Sequence, residues 1–351
     1  MRSIRVLTTI ILLLLAFDSM QNVFAQTTKE PHYLDLSKTL GFMMGQRLSL
    51  NRIMNEYPEL SLRAQRADLE FQSAFGIAEK NIEKILKNIL KDKYTEYFQA
   101  MEKQVKSTLM SQQISQDTAT QFLDEVESRA KGEIPPPMLG ILLNYQYQQS
   151  PVDELKRGFK IKYRTKGHPK ATGLDVQIEC AKSWSLREGN RPNVIQFFSS
   201  NNGNGPVFAS IMTKDLSQEF QSELTHEEIA VIATLEGSKE LASILFSDSS
   251  LKEILNSMKM TNVRNMTSKS IVLDGYPGTM LEFIGDQQRL DSAITMYNRM
   301  YIAIYKSYMI FLQFQVGKFP NDTENTLSDR IAKYHPLFHF MANSLVIQSQ
   351  Y

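Results

Sequence analysis

The sequence is poor in the residues that supply covalent cross-links and much of enzyme chemistry. Its 351 residues include one cysteine, Cys180, one tryptophan, Trp184, and five histidines. A single cysteine excludes an internal disulfide, so stability has to come from packed cores. Cys180 ends an alternating apolar and polar run, Leu174–Cys180, on its apolar side. We therefore predict a buried strand residue rather than a reactive thiol.

The sequence also lacks an apolar run long enough to span a bilayer, which takes roughly 18 residues or more. The uncharged segment Val6–Phe17 follows Arg2 and Arg5. In Val23-Phe24-Ala25, small residues occupy the two positions that a signal peptidase reads. This pattern predicts a signal peptide over residues 1–25, cleaved after Ala25, and a periplasmic or secreted protein. A membrane anchor is the alternative, but Asp18 ends the run too early for it.

Net charge is also missing. The whole chain carries a formal charge of +1, and removing residues 1–25 takes away two basic side chains and one acidic one, which leaves zero. A neutral chain gives no electrostatic case for nucleic acid or anionic lipid. We expect no nucleic-acid partner and no stable membrane anchor, and the oligomeric state is left open.

The first half of the chain has the apolar spacing of amphipathic helices. Four are predicted, over the spans Tyr33–Tyr57, Leu60–Leu90, Tyr94–Leu109 and Asp117–Lys131. Pro135-Pro136-Pro137 then favours extended backbone. The prediction is a helical domain over residues 26–132, followed by a Pro-containing linker over 133–154.

From residue 155 to 351 the apolar period changes towards that of strands, which predicts an α+β domain around an antiparallel sheet. Two strand-like runs flank Asn201–Pro206, the strongest hairpin signal in the chain. Three short helices are predicted next. The first and third begin at capping boxes, at Thr225 and Ser250, and the middle one begins at Ser238. A last helix is predicted over about 325–343, before a closing strand.

Motifs for catalysis or metal binding are incomplete. His335 and His339 have the spacing of two zinc ligands on a helix, but Pro, Leu and Phe stand between them, where the zinc motif needs a Glu. Ser249 and Lys252, with Ser250 between them, match the pattern Ser-x-x-Lys of one class of serine enzymes. The companion motifs of that class are missing. The sequence predicts no catalytic residue, no metal and no cofactor.

One segment combines an amphipathic ring with guanidinium groups. Trp184, Arg187 and Arg191 fall within eight residues, and such combinations recur at binding hot spots. These three residues are the candidate binding site. The alternative is that Trp184 closes one end of the sheet's core.

Residues 155–351 resemble a known family. The features on which the resemblance rests are Lys182-Ser183-Trp184-Ser185, the segment Val272–Phe283 with its Asp-Gly-Tyr-Pro-Gly turn, a long aromatic hairpin, and a final helix that leads into Asn343–Ile347. They resemble the PsbP-like α/β/α fold of the photosystem II extrinsic protein and of bacterial extracytoplasmic proteins such as the DcrB-like family. That resemblance implies a non-enzymatic role and assigns no functional residue.

The helical half resembles only uncharacterised bacterial secreted proteins. Three functions therefore stay open. The first is a non-catalytic extracytoplasmic accessory or binding protein with a protein or cell-envelope partner. The second is a small-ligand carrier with an apolar pocket between the sheet and its helices, and the third is an envelope hydrolase without a recognisable motif.

Overall fold

The computed structural model describes residues 33–351 except 112, 204, 220–224, 259 and 289–292. The predicted signal peptide and its cleavage point after Ala25 lie outside the described residues. The chain divides into two compact units, with the boundary after Phe159. We call residues 33–159 the helical unit and residues 160–351 the sheet unit.

Long helices build the helical unit. They are α1 (Tyr33–Glu56), α2 (Ser61–Leu90), α3 (Tyr94–Met110), α4 (Gln116–Ala130), α5 (Met138–Gln146) and α6 (Val152–Lys156). The first four lie within two residues of the spans that the sequence predicts, so those predictions are confirmed. In the described ranges, every helix is too short or too polar to cross a bilayer.

The core of the helical unit is built along α2. Its buried stripe alternates small and large side chains at helical spacing and consists of Ala64, Ala67, Phe71, Phe75, Ala78, Ile82 and Leu86. The alanines let α1 and α4 approach closely, while Phe71 and Phe75 fill the space between helices with ring centroids 5.3 Å apart.

The segment predicted as a linker, residues 133–154, is folded into the helical unit. The prolines occupy only its beginning, since Pro137 is the N-cap of α5, where the missing N–H is tolerated. Leu139, Leu142 and Leu143 of α5 are buried in the same core as α2. Phe159 also belongs to this unit, because its ring lies 6.0 Å from that of Phe75.

Strands and shorter helices build the sheet unit. The strands are β1 (Lys160–Arg164), β2 (Val176–Ala181), β3 (Ser185–Glu188), β4 (Val194–Ser199), β5 (Val207–Asp215), β6 (Met260–Leu273), β7 (Tyr276–Gln288), β8 (Ala293–Tyr305), β9 (Tyr308–Gly317) and β10 (Val346–Ile347). The helices are α7 (Leu216–Glu219), α8 (His226–Ile232), α9 (Leu235–Leu245), α10 (Asp248–Ser257) and α11 (Glu324–Asn343).

The described strands form two antiparallel sheets. Seven of them are ordered β3-β4-β5-β9-β8-β7-β6, and three are ordered β1-β2-β10. The hairpin predicted around Asn201–Pro206 is confirmed as the β4–β5 pair. Asp274 and Gly275, both with positive φ, make the two-residue turn between β6 and β7 that the Asp-Gly pair predicts.

Helices cover both faces of the seven-stranded sheet. On one face, Leu241 and Leu245 of α9 share a core with Met300 and Ile302 of β8. On the other, Phe338 of α11 stacks on Phe314 of β9 with ring centroids 4.6 Å apart. The fold is therefore α+β, with a helical region followed by an antiparallel sheet flanked by helices, as predicted. Cys180 is buried, as its place in the alternating run predicts.

Two predicted helix starts are wrong by about one turn. The helix predicted to start at Ser238 is α9, and its N-cap is Thr234, whose hydroxyl accepts from the Gly237 N–H. The N-cap of α10 is Ser247, which accepts from the Ser250 N–H. In both cases an earlier hydroxyl reaches the free N–H groups of the first turn. The capping box of Thr225 and Glu228 is confirmed.

Candidate functional site

Trp184 lies in the core of the sheet unit. Its side chain is 5% exposed, and its ring centroid lies 6.5 Å from that of Tyr334 on α11. Tyr334 in turn stacks on Phe338, which stacks on Phe314. Trp184 therefore packs on the α11 side of the sheet and presents little surface to a ligand.

Arg187 lies towards the other face of the sheet. It is directly opposite Phe197 in the β3–β4 register, and its guanidinium carbon lies 5.8 Å from the Phe197 ring centroid. Phe197 belongs to the core beneath α9 and α10. Arg191 is half-buried, and burial lowers its pKa. The structure does not place Trp184 and Arg187 on one surface, so a binding role for the three residues stays a prediction.

The two histidines of α11 have separate partners. His335 Nε2 lies 3.4 Å from Glu282 Oε1 on β7, and His339 Nε2 lies 3.0 Å from Asn343 Nδ2. Within the described ranges, no three His, Cys, Asp or Glu side chains are grouped so that they can hold a metal ion.

The Ser250 hydroxyl is occupied by helix contacts. It donates to the Ile244 carbonyl at 3.0 Å and lies 2.9 Å from the Ser247 hydroxyl. Lys252, two residues on, is exposed. The geometry gives Ser250 a structural role between α9 and α10.

A groove of about 450 Å³ lies between α1 and α3 of the helical unit. This volume falls in the range of about 300–1,000 Å³ that small-molecule sites occupy. Apolar and polar residues line it; they are Leu34, Ser37, Lys38, Gly41, Tyr97, Met101, Gln104, Val105, Thr108 and Leu109.

Glycines on α1 set the width of the groove. A Cβ atom at Gly41 would lie 3.6 Å from Met101 Sδ, and one at Gly45 would lie 3.7 Å from Val105 Cγ1. These contacts are ordinary van der Waals distances, so a longer side chain at either position has to enter the groove or displace α3. The α1 surface facing α3 therefore lacks the side chains that would close the gap.

The two ends of α3 are fixed more firmly than its middle. At its start, the Tyr94 hydroxyl donates to Glu83 Oε1 on α2 at 3.2 Å, and Lys87 Nζ lies 5.2 Å from the Tyr94 ring centroid. Near its end, Arg52 Nη1 on α1 donates to the Leu109 carbonyl. Among the residues of α3, which are all described, Tyr94 is the one buried side chain.

The apolar residues in the middle of α3 remain partly open to solvent. Tyr97, Met101, Val105 and Leu109 are all half-buried. Leu34 of α1, on the opposite wall, is exposed. Partly exposed apolar side chains that share one concave surface are typical of a ligand or partner site.

Ser37 places an unsatisfied hydroxyl on the groove wall. Ser37 is 6% exposed, and its Oγ atom has no hydrogen-bond partner among the described residues. A buried hydroxyl without a partner costs about 1–3 kcal/mol relative to a satisfied one. A ligand atom able to donate or accept a hydrogen bond would remove that penalty.

The lining chemistry suits an apolar ligand with a polar end. The groove offers hydroxyl, amide and ammonium groups from Ser37, Gln104 and Lys38. The walls can bury an apolar chain and hydrogen-bond one polar atom of it.

Sequence reasoning identified α1 and α3 as amphipathic but missed the groove between them. The available signal is the pair Gly41 and Gly45, spaced by four residues inside an amphipathic helix. Such a pair marks close approach or missing volume on one helix face. Which of the two it produces depends on where α3 lies, and the spacing alone does not determine that.

No protein-family model matches the chain, and no curated protein matches its sequence. Among solved structures, the chain is similar to LpqN of Mycobacterium tuberculosis, which is described as involved in cell envelope biogenesis. The identity is 9%, the match covers 56% of this chain and 96% of LpqN, and the TM-score is 0.25. A likeness of this size carries no argument about fold or role, and the PsbP-like fold is not confirmed.

Proposed function

We propose that the chain is an extracytoplasmic, non-catalytic binding protein, and that its helical unit binds an acyl chain in the α1–α3 groove. The observation that carries this proposal is the groove itself. Half-buried apolar side chains form its walls, and the Ser37 hydroxyl on one wall is buried without a partner. The extracytoplasmic address rests on the signal peptide predicted over residues 1–25.

The energetics favour a long, flexible apolar ligand. Burial of one methylene group contributes about 0.8 kcal/mol, while association itself costs about 4–15 kcal/mol. Short chains therefore bind weakly, and each pair of added methylenes should tighten binding by roughly tenfold until the groove is full. Lys38, which also lines the groove, is exposed and can pair with the carboxylate of a free fatty acid.

Filling the groove tests the proposal. In Gly41→Leu, the new side chain projects beside Met101, into the space that the acyl chain would use. Leucine also has a higher helix propensity than glycine by about 0.8 kcal/mol, so α1 itself should stay helical in the variant. The measurement is a titration with cis-parinaric acid, a fluorescent fatty acid, followed by displacement with saturated fatty acids of increasing length.

The matched control is Gly140→Leu. Gly140 lies on α5 of the same unit, and a Cβ atom there meets nothing within 4 Å. We expect saturable binding by the original chain and by Gly140→Leu, and at least tenfold weaker binding by Gly41→Leu. Equal binding by all three proteins, or no binding by any of them, would contradict the proposal that an acyl chain binds in this groove. Displacement by fatty acid but not by phospholipid would identify the free acid as the ligand.

A further inference from the structure

Ser37 differs from the other serine and threonine residues of α1 in the bonding of its hydroxyl. Thr39 Oγ1 donates to the Asp35 carbonyl and Ser49 Oγ donates to the Gly45 carbonyl, each at 2.8 Å and one turn back along the helix. Such a local bond is common for a hydroxyl inside a helix. The Ser37 Oγ makes neither this bond nor any other with a described residue. On α1, which is described throughout, it is therefore the serine or threonine hydroxyl that is left to meet a ligand.

Helices α1 and α3 run in the same direction along the groove. Gly41 lies next to Met101, and one turn later Gly45 lies next to Val105. Ser37 is one turn before Gly41 and lines the same groove. Ser37 therefore belongs to the end of the groove that is nearer the start of both helices.

The groove continues from this end for the length of an extended acyl chain. Its α3 wall reaches from Tyr97 to Leu109, which are 12 residues, or about 18 Å, apart along the helix. Met101 and Val105 lie between them on the same wall. A chain whose carboxyl end lies near Ser37 can therefore place its tail along three apolar side chains.

The two polar groups that α1 offers at this end differ in exposure. Lys38 is exposed, so its ammonium group can pair with a carboxylate that also stays in water. Ser37, its neighbour in the chain, is 6% exposed. A carboxylate drawn in as far as Ser37 would lose its water, which costs more than one hydrogen bond returns. The ligand atom that meets Ser37 should therefore be uncharged and lie close to the carboxylate along the chain.

We propose that the groove selects 3-hydroxy fatty acids, with the carboxylate at Lys38 and the hydroxyl on carbon 3 hydrogen-bonded to Ser37 Oγ. This inference rests on the proposed acyl-chain function and adds the class of ligand. A hydroxyl can donate and accept, so it meets Ser37 in either role. An unsubstituted chain covers Ser37 and leaves it without a partner. A site with a buried polar group discriminates against a ligand that leaves this group unpaired.

The test compares myristate with 3-hydroxymyristate, each used to displace cis-parinaric acid. The two acids have the same carboxylate and the same chain length, so they differ only in the hydroxyl. We expect the original chain to bind 3-hydroxymyristate about tenfold more tightly, because Ser37 has already lost its water in the unliganded protein. In Ser37→Ala this preference should disappear, and myristate should bind at least as tightly as before.

The matched control is Ser49→Ala, the same substitution on the same helix. Ser49 is nearly as buried as Ser37, at 7% against 6% exposed, but its hydroxyl already donates to the Gly45 carbonyl. It is not among the residues that line the groove. Ser49→Ala should therefore keep the preference for 3-hydroxymyristate. Any general effect of the hydroxyl on ligand solubility cancels, because every protein is tested with both acids.

Two results would overturn this inference while acyl-chain binding stands. One is equal affinity of the original chain for the two acids, and the other is an unchanged preference in Ser37→Ala. Failure of both acids to bind would remove the proposed function as well. Ser37→Ala should also be at least as stable in urea as the original chain, because it removes an unmet hydroxyl. A less stable variant would show that this hydroxyl already has a partner, which also contradicts the inference.

Discussion

Helices α2 and α3 have the same kind of amphipathic sequence, but they pack differently. On α2 the buried stripe runs along the whole helix, from Ala64 to Leu86, and meets α1, α4 and α5. On α3 the buried set is reduced to Tyr94 within the described chain, and Tyr97, Met101, Val105 and Leu109 line a groove. The difference shows that an apolar stripe predicts a helix without predicting how fully that stripe is covered.

The cause of the difference lies in the partner helix. Where α1 faces α2 it presents large residues, such as Leu36, Leu40 and Leu50, that fill the shared core. Where it faces α3 it presents Gly41 and Gly45, so Met101 and Val105 lie next to glycine instead of a larger side chain. Hydrogen bonds and ring contacts at the two ends of α3 hold this helix beside α1.

The largest expected contrast comes from truncating a side chain on each helix. Phe75→Ala on α2 should lower the free energy of unfolding by about 3–5 kcal/mol, because it leaves a cavity among closely packed rings. Met101→Ala on α3 should lower it by less than about 1 kcal/mol, because one side of Met101 already faces open space. Urea denaturation measures both, and equal losses would contradict the comparison.

The next effect concerns the C-terminal end of α3. Arg52→Met removes the donor to the Leu109 carbonyl and should lower the stability of that end by about 1.5 kcal/mol, since the lost donor is charged. Hydrogen exchange of the amides at 105–110 should become faster. Arg66→Met, at an exposed position on α2, is the control and should leave these amides unchanged. Unchanged exchange in Arg52→Met would mean that the end is held in another way.

A smaller effect is expected at the start of α3. Tyr94→Phe removes the hydrogen bond to Glu83 and keeps the ring contacts, so it should lower the free energy of unfolding by about 1 kcal/mol. Tyr97→Phe, one turn later on the same helix, should change it by much less. Chemical denaturation compares the two, and a larger loss for Tyr97→Phe would place the anchoring contact elsewhere.

The smallest effect is a pH dependence at Glu83. Hydrogen bonding from Lys87, with a further contribution from Tyr94, holds the pKa of Glu83 below its usual value of 4.5. The stabilisation is therefore fully present above pH 4.5 and is lost as the pH falls through the lowered pKa. Glu83→Gln should flatten the loss of stability between pH 5 and 3.

The control for Glu83→Gln is Glu70→Gln. It changes an exposed carboxylate of the same helix for which no ion pair is recorded in the described part of the chain. That variant should keep the pH dependence of the original protein. The same flattening in both variants would show that Glu83 is not responsible.

Local patterns predicted the elements well because they depend on neighbouring residues. Helical spacing located α1 to α4, and the Asp274-Gly275 turn and the run around Asn201 located two hairpins. The three prolines favour extended backbone, but the apolar residues that follow them, among them Leu139, Leu142 and Leu143, form a buried helix. Cap positions failed where several hydroxyl residues, such as Ser247 and Ser250, compete for one helix start.

The candidate sites could not be predicted in the same way, because they depend on distances between separate elements. Met101 looks like a core residue until α1 presents a glycine to it. Trp184, chosen from the sequence for its chemistry, packs against Tyr334 in the interior.

The most direct test of the central claim uses methionine methyl groups as reporters. The chain has 17 methionines. Met101 lines the groove, whereas Met212 and Met300 lie in the core of the sheet unit. The measurement is the methyl NMR spectrum of the protein labelled at methionine, recorded as stearate carrying a paramagnetic label near its end is added. We predict that the Met101 signal broadens first, that Met212 and Met300 stay sharp, and that Gly41→Leu abolishes the effect. An unbroadened Met101 signal, or equal broadening of all three, would contradict the assignment of the groove as an acyl-chain site.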